Sequence, residues 1–198
     1  MNIKNYNLSG KVVLITGAVG QLGSSIAKIF ANNNASVIVS DLDIEKCNEL
    51  ESCLANNENS SHTSLNLDVT SEISVNKAKE LIEKKYSKLD ILINNAATAI
   101  FSDSSLRKKD EFMKVFEVNT YGTFNCIQKL LPLMSNKQQS TSIINIASVY
   151  GCVSSDPRIY GDLDRKNSEI YSVSKAGVIQ MTKYLSIHYA DKNIRINS

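Results

Sequence analysis

Short runs of apolar residues alternate with longer segments of helical period along the whole chain, and this alternation restricts the fold more than any other feature. The runs are Val12–Ile15, Ser36–Ser40, a weaker Thr63–Leu67, Leu89–Asn94, Ser142–Ala147 and Ile194–Asn197. Runs without a polar face belong to strands buried on both sides, which means a parallel sheet covered by helices. The segments between them supply the helices. They are Gln21–Asn33 (Ile26, Ala27, Ile29 and Phe30 inward), Ile44–Leu54, Glu72–Tyr86 (Ile73, Ala78, Leu81 and Ile82 inward), Asp110–Met134 and Tyr171–Ala190. Right-handed crossovers then wind an α/β, doubly wound sheet. No repeat, linker or low-complexity tract divides the chain, so residues 1–198 are expected to be one nucleotide-binding domain. The one stretch outside the rhythm is the polar segment Cys152–Glu169.

With 42% hydrophobic residues the chain can fill a core, and disorder is excluded as a description. The balance of 22 basic and 20 acidic residues gives no electrostatic reason to expect nucleic acid or an anionic membrane as partner. Four cysteines, Cys47, Cys53, Cys126 and Cys152, form no CxxC pair and stand far from His62 and His188, so no metal site is expected. Free thiols, a polar N-terminus and no apolar run of about 18 residues fit a cytoplasmic protein that does not span a membrane.

Thr16-Gly17-Ala18-Val19-Gly20-Gln21-Leu22-Gly23 joins the first strand to the first helix. Glycines there allow a sharp turn and a close approach to a pyrophosphate, which the helix N-terminus then binds through free N–H groups. Gly17, Val19, Gly20, Gln21, Leu22 and Gly23 are the expected contacts. Asp41 ends the second strand, where a carboxylate accepts the ribose hydroxyls of NAD and repels the 2′-phosphate of NADP. Its neighbours Ser40, Leu42 and Asp43 include no cation, so NAD is expected over NADP.

Tyr171-Ser172-Val173-Ser174-Lys175 places a phenol and an ammonium one helical turn apart on one face. An adjacent ammonium favours an ionised phenol, which suits Tyr171 to acid/base work. Ser148 follows the fifth strand, and Asn94-Asn95-Ala96-Ala97 closes the fourth at the same carboxyl edge, where such sheets bind ligands. Asn119 falls inside the long helix Asp110–Met134, a poor place for asparagine unless its amide has a polar task.

These stretches together resemble the short-chain dehydrogenase/reductase family over essentially the whole chain. Leu67-Asp68-Val69, Gly122, Ile143–Ser148, Ala176-Gly177 and Asn193–Ser198 match as well. The resemblance implies a Rossmann sheet of order 3-2-1-4-5-6 and hydride transfer between NAD and an alcohol or carbonyl. Catalysis would fall to Asn119, Ser148, Tyr171 and Lys175. Tyr171 would exchange a proton with the substrate oxygen, which Ser148 would orient. Lys175 would hold the nicotinamide ribose, and Asn119 would support a water leading from Lys175 to solvent. Asp68 and Val69 would flank the adenine, and Asn94, Asn95 and Ala96, with Ala97, the adjoining ribose.

Three departures qualify the resemblance. Gln21 stands where the single-domain branch has its middle glycine, so that Gly17, Gly20 and Gly23 resemble the extended branch of nucleotide-sugar epimerases and dehydratases. The Ser148-to-Tyr171 segment is long for the single-domain branch and is expected to lie over the site and favour a sugar-related substrate. The chain also stops before the family's substrate-binding loop and last strand, so an incomplete domain is expected. A nucleotide-binding remnant without turnover is the alternative from another functional class. The partners expected are a small-molecule substrate and a second copy of the chain. For self-association as a dimer or tetramer, Leu130, Leu131, Ile179 and Leu185 are candidate contacts, which core packing explains equally well.

Overall fold

The structure, a computed structural model, describes residues 6–55, 60–135, 140–161 and 167–198. The strands are β1 (Val12–Thr16), β2 (Ser36–Asp41), β3 (Thr63–Asn66), β4 (Ile91–Asn94), β5 (Thr141–Asn145) and β6 (Ile194–Asn197). They form one parallel sheet of order β3-β2-β1-β4-β5-β6. The order turns outward from β1 in both directions, which opens a crevice between the carboxyl ends of β1 and β4.

Alternate residues of each strand feed two separate cores. Val12 and Leu14 join Ile38, Leu92 and Ile143 on one face, while Val13 and Ile15 join Val37, Val39 and Ile93 on the other. The first face is covered by α3 (Glu72–Tyr86), α5 (Gly122–Met134) and α6 (Glu169–His188). The second is covered by α1 (Gln21–Asn32) and α2 (Ile44–Ser52). Full burial of each such Leu or Ile side chain is worth about 1.5–3 kcal/mol, which fixes the strand register.

Two inward-facing assignments fail. Ile73 is 70% exposed and Ile29 is 46% exposed. The packed stripes are instead Gly23–Ala27–Ala31 on α1 and Val75–Ala78–Ile82 on α3. Small side chains let α1 lie close to the sheet, and on both helices the isoleucine that falls off the packed stripe is carried into solvent.

The long helix expected over Asp110–Met134 is also interrupted. A regular helix α4 (Lys109–Phe116) passes into a π-helical turn, Glu117–Tyr121, and then into α5. At the opposite edge of the sheet, the buried Asp90 carboxylate accepts the Val12 N–H at 2.9 Å and pairs with Lys88 at 2.9 Å and Lys11 at 3.4 Å. That clamp joins β1 to β4 at their amino ends. All four cysteines are free thiols, and no His/Cys/Asp/Glu cluster among the described residues could hold a metal. None of the helices described is long and apolar enough to cross a membrane.

Candidate active site

The turn after β1 is built on backbone contact. Gly17 has φ +62°, and a Cβ there would meet Ala96 Cα at 2.8 Å. A Cβ at Gly23 would strike the Gly17 carbonyl and lie 2.8 Å from Ala18 Cα. Gly20 has no such constraint: a Cβ there would make only ordinary contact, at 3.4 Å from the Gly17 carbonyl. Its residue type therefore says little about which branch the chain belongs to. Gly20 is the N-cap of α1, Gln21 and Leu22 open the helix exposed to solvent, and Val19 packs part-buried beneath. The first turn of α1 has no acidic residue, and its N-cap makes no side-chain bond. Its N–H groups are thus free to meet an anion.

Asn95 holds this turn against β4. Its Nδ2 donates to the carbonyls of Thr16 at 3.1 Å and Gly17 at 2.8 Å. The Thr16 hydroxyl accepts the N–H groups of Asn95 and Ala96, each at 3.1 Å. The Asn95 side chain is thus occupied in shaping the cradle, a different task from the ribose contact expected of it.

Beside the turn opens a cavity of ≈ 380 Å³, lined by Gly17, Asp41, Leu42, Asp68, Val69 and Ala96 among others, with Ala97 at its rim. Its size and position suit an adenosine, with the glycine cradle beyond it for the pyrophosphate. Asp41 is part-buried, with Oδ1 accepting the Leu42 N–H at 2.8 Å. Asp68 spends Oδ1 on the N–H and hydroxyl of Thr70, at 2.9 and 2.7 Å, which shapes the loop and leaves its other oxygen available. No cation adjoins Asp41 in sequence, but α4 brings Lys114 to the same cavity.

The other group of residues gathers on α6. Lys175 is 3% exposed; its Nζ donates to the Ile146 carbonyl at 2.5 Å and stands 5.7 Å from the centre of the Tyr171 ring. Burial pushes its ammonium down to about 8. Ile146 in turn donates its N–H to the Asn94 carbonyl at 2.9 Å, so Lys175 is moored to the carboxyl ends of β4 and β5. Ser148 caps a short 3₁₀ turn, Val149–Gly151, and its Oγ accepts the Tyr150 N–H at 3.2 Å. Gly151 lies so close to α6 that a Cβ would meet Lys175 C and Ala176 N at 2.9 Å, which sets the Ser148 turn directly against the start of that helix.

Asn119 sits on the π-helical turn and is 1% exposed. Its Oδ1 accepts the Thr98 N–H at 2.8 Å, and its Nδ2 donates to the Thr98 carbonyl at 3.0 Å and the Ser174 hydroxyl at 2.9 Å. The Ser174 hydroxyl in turn donates a hydrogen bond to the Tyr171 carbonyl at 2.7 Å. The extra residue of a π-turn swings the amide inward, where a regular helix would not hold it. The local sequence points to Asn119, but Ser174 is missed. Its signal is a hydroxyl in a helix interior, between the two residues that were singled out and next to Lys175.

Two further ties escape a sequence reading because their partners are remote. Asn94 Nδ2 donates to Asn145 Oδ1 at 2.8 Å, and Asn145 Nδ2 to Thr182 Oγ1 at 2.9 Å, linking both strand ends to α6. Arg107 bonds Glu169 through Nε at 2.8 Å and Nη2 at 3.2 Å, and holds that carboxyl below its usual range. The long Cys152–Glu169 segment is partly visible. It carries a 3₁₀ turn, Pro157–Tyr160, whose Tyr160 hydroxyl donates to that of Tyr150 at 2.7 Å; residues 162–166 lie outside the described residues. Leu130 and Leu185, expected to face a second copy, are 0% and 6% exposed within the core beneath α5 and α6, so neither is a contact surface.

Comparison with known proteins agrees with this architecture. The sequence model of a family described as short chain dehydrogenase matches residues 11–198. A 3-oxoacyl-[acyl-carrier-protein] reductase FabG of Thermotoga maritima is 36% identical over 195 residues, covering 96% of this chain and 73% of that protein. Among solved structures, the NADP complex of Pseudomonas aeruginosa RhlG superposes with a TM-score of 0.86 at 26% identity, covering 98% of this chain and 73% of that one. A candidate D-mannonate oxidoreductase from Haemophilus influenza with bound NAD gives 0.82 at 25% identity, covering 98% and 71%. The chain belongs to the short-chain dehydrogenase family of oxidoreductases.

Proposed function

We propose that this chain binds NAD and interconverts an alcohol and a carbonyl, with Tyr171 as the acid/base. The observation that carries the reading is the mooring of Lys175. Its ammonium is bound to Ile146, beside the Tyr171 ring, on strand ends whose continuation at Ala96 touches Gly17 of the glycine turn. Phenol, ammonium and phosphate cradle thus share one crevice. When bound, the nicotinamide supplies or accepts the hydride. The glycine turn and the α1 N-terminus hold the pyrophosphate, Asp41 accepts ribose hydroxyls, and Val69 lies against the adenine. Lys175 donates to the nicotinamide ribose. Ser148 donates to the substrate oxygen while Tyr171 gives or takes its proton, and Asn119 holds α6 in register through Ser174.

Asp41 supports NAD over NADP, because a 2′-phosphate would meet its carboxylate. Equilibrium binding followed by nucleotide fluorescence tests this: NADH is expected to bind at least about tenfold more tightly than NADPH. Equal affinities would overturn the preference and point to Lys114 as a phosphate partner. A sugar-related substrate is supported by the paired Tyr150 and Tyr160 hydroxyls in the segment after Ser148. Faster oxidation of sugar alcohols than of aliphatic alcohols is expected in a substrate panel, and the reverse order would remove that assignment. Self-association is proposed through the exposed apolar hollow of Met113, Phe116, Tyr121, Phe124 and Met181, in place of the buried leucines. Light scattering of the purified chain gives the answer directly.

A further inference from the structure

We infer that Gly122 and Asn125, on the first turn of α5, are positioning residues that set the adenine wall of the cavity through Val69. The inference rests on the reading of that cavity as the seat of a dinucleotide's adenosine half. Val69 is 7% exposed and lines the cavity. Two contacts from behind determine where it stands. Asn125 is 1% exposed, and its Nδ2 donates to the Val69 carbonyl at 2.9 Å. Gly122 meets the Val69 side chain: a Cβ at Gly122 would lie 2.6 Å from Val69 Cγ2 and 3.1 Å from its Cβ.

The two contacts act together. The amide draws the Val69 backbone toward α5, and the missing side chain at Gly122 leaves the isopropyl group room to follow. The loop that carries Asp68 and Val69 has no other hydrogen bond from Val69 into α5 among the described residues. Asn125 also keeps its Oδ1 buried without a partner, a cost that a residue placed only for packing would not carry. A methyl group at Gly122 pushes the isopropyl forward into the space of the adenine ring. Loss of the amide frees the loop from α5, so that the wall no longer stands at a fixed distance from the ring. Either change weakens adenine contact and leaves the nicotinamide end untouched.

The experiment uses Gly122→Ala, Asn125→Leu and the double variant Gly122→Ala/Val69→Ala in the full chain. Binding of AMP, of nicotinamide mononucleotide and of NADH is measured by calorimetry and fluorescence. Gly122→Ala and Asn125→Leu are expected to weaken AMP and NADH by about tenfold, a difference near 1.4 kcal/mol, with nicotinamide mononucleotide unchanged. Trimming Val69 is expected to return part of the AMP affinity to Gly122→Ala, short of the contact that the isopropyl group itself supplies, and a general loss of folding would allow no return. Unchanged AMP affinity in both single variants overturns the inference, as does equal loss of AMP and nicotinamide mononucleotide. A wild-type chain that binds neither AMP nor NADH overturns instead the reading of the cavity on which it rests.

Discussion

The two halves of the crevice are built by opposite means. On the β1 side, the glycine turn depends first on missing atoms, since Gly17 and Gly23 let backbone meet backbone at distances no side chain would permit, and Asn95 then braces it. On the β4–β6 side, the site is held by polar atoms in matched pairs. Asn94, Asn145 and Thr182 form one chain, and Thr98, Asn119, Ser174 and the Tyr171 carbonyl form another. The first half fails if a carbon is added. The second fails if a donor is removed. A dinucleotide needs a surface its backbone can approach closely, whereas proton transfer needs groups that keep one orientation.

Substitutions can break this contrast, and the largest effect is expected at the reacting phenol. Tyr171→Phe should lower turnover by about 10²–10⁴-fold while NADH affinity stays within about twofold, measured on an alcohol panel and by nucleotide fluorescence. Loss of both together would mean that the two halves are not separable.

The buried ammonium comes next. Its folded value of about 8 lies below the 10.5 of an unfolded lysine. Between those values the unfolded chain holds a proton that the folded chain lacks, so wild-type stability rises with pH through this window and the burial cost is complete below pH 8. Lys175→Met is therefore expected to stabilise the nucleotide-free protein at pH 7 by up to about 3 kcal/mol, while abolishing turnover. Urea unfolding should show the gain shrinking as pH rises toward 10.5. A gain independent of pH would contradict the assignment.

Adding a carbon to the first half tests its packing. Gly23→Ala should cost about 1–3 kcal/mol in urea unfolding and weaken NADH binding at least about tenfold. Gly20→Ala should change stability by no more than about 1 kcal/mol; a large loss there would show the turn to be tighter than its geometry implies. Ser174→Ala falls between these two, leaving one Asn119 N–H buried and unpaired at a cost of about 1–2 kcal/mol. Its diagnostic is a fall in turnover larger than any fall in NADH affinity.

The first half was largely legible in the sequence. Glycines between an apolar run and a helix, with Asp41 closing the next run, are local signals, and the structure places Asp41 and Gly17 on one cavity. β1 was legible because burial on both faces leaves it almost no polar positions, and it agrees to within one residue; Ile194–Asn197 agrees to the residue although only Ile194 and Ile196 are buried. The second half was legible where spacing or position marked a residue, as for Tyr171, Lys175 and Ser148, or where a chemical oddity did, as for Asn119 within a helix. Asn125, Ser174, Asn145 and Thr182 look ordinary along the chain, and their roles come from partners many residues away. The inward face of α3 was misread because Ile73 is apolar without belonging to the packed stripe. Asn95 was singled out at its strand end as a ligand contact, and the further task of its amide nitrogen in bracing the turn was not legible.

The π-helical turn at Glu117–Tyr121 amounts to one residue more than a regular spiral would use. Taking that residue out would rotate α4 against α5 by about 100°. The amide of Asn119 would then face outward, Lys114 would leave the rim of the cavity, and Val115 would lose its buried place. One surplus residue thus lets a single rod serve two surfaces, its first half turned toward the adenosine cavity and its second toward the sheet. Length in this stretch is therefore as strict a requirement as residue identity, and a shortened chain would forfeit the site with every named side chain still present.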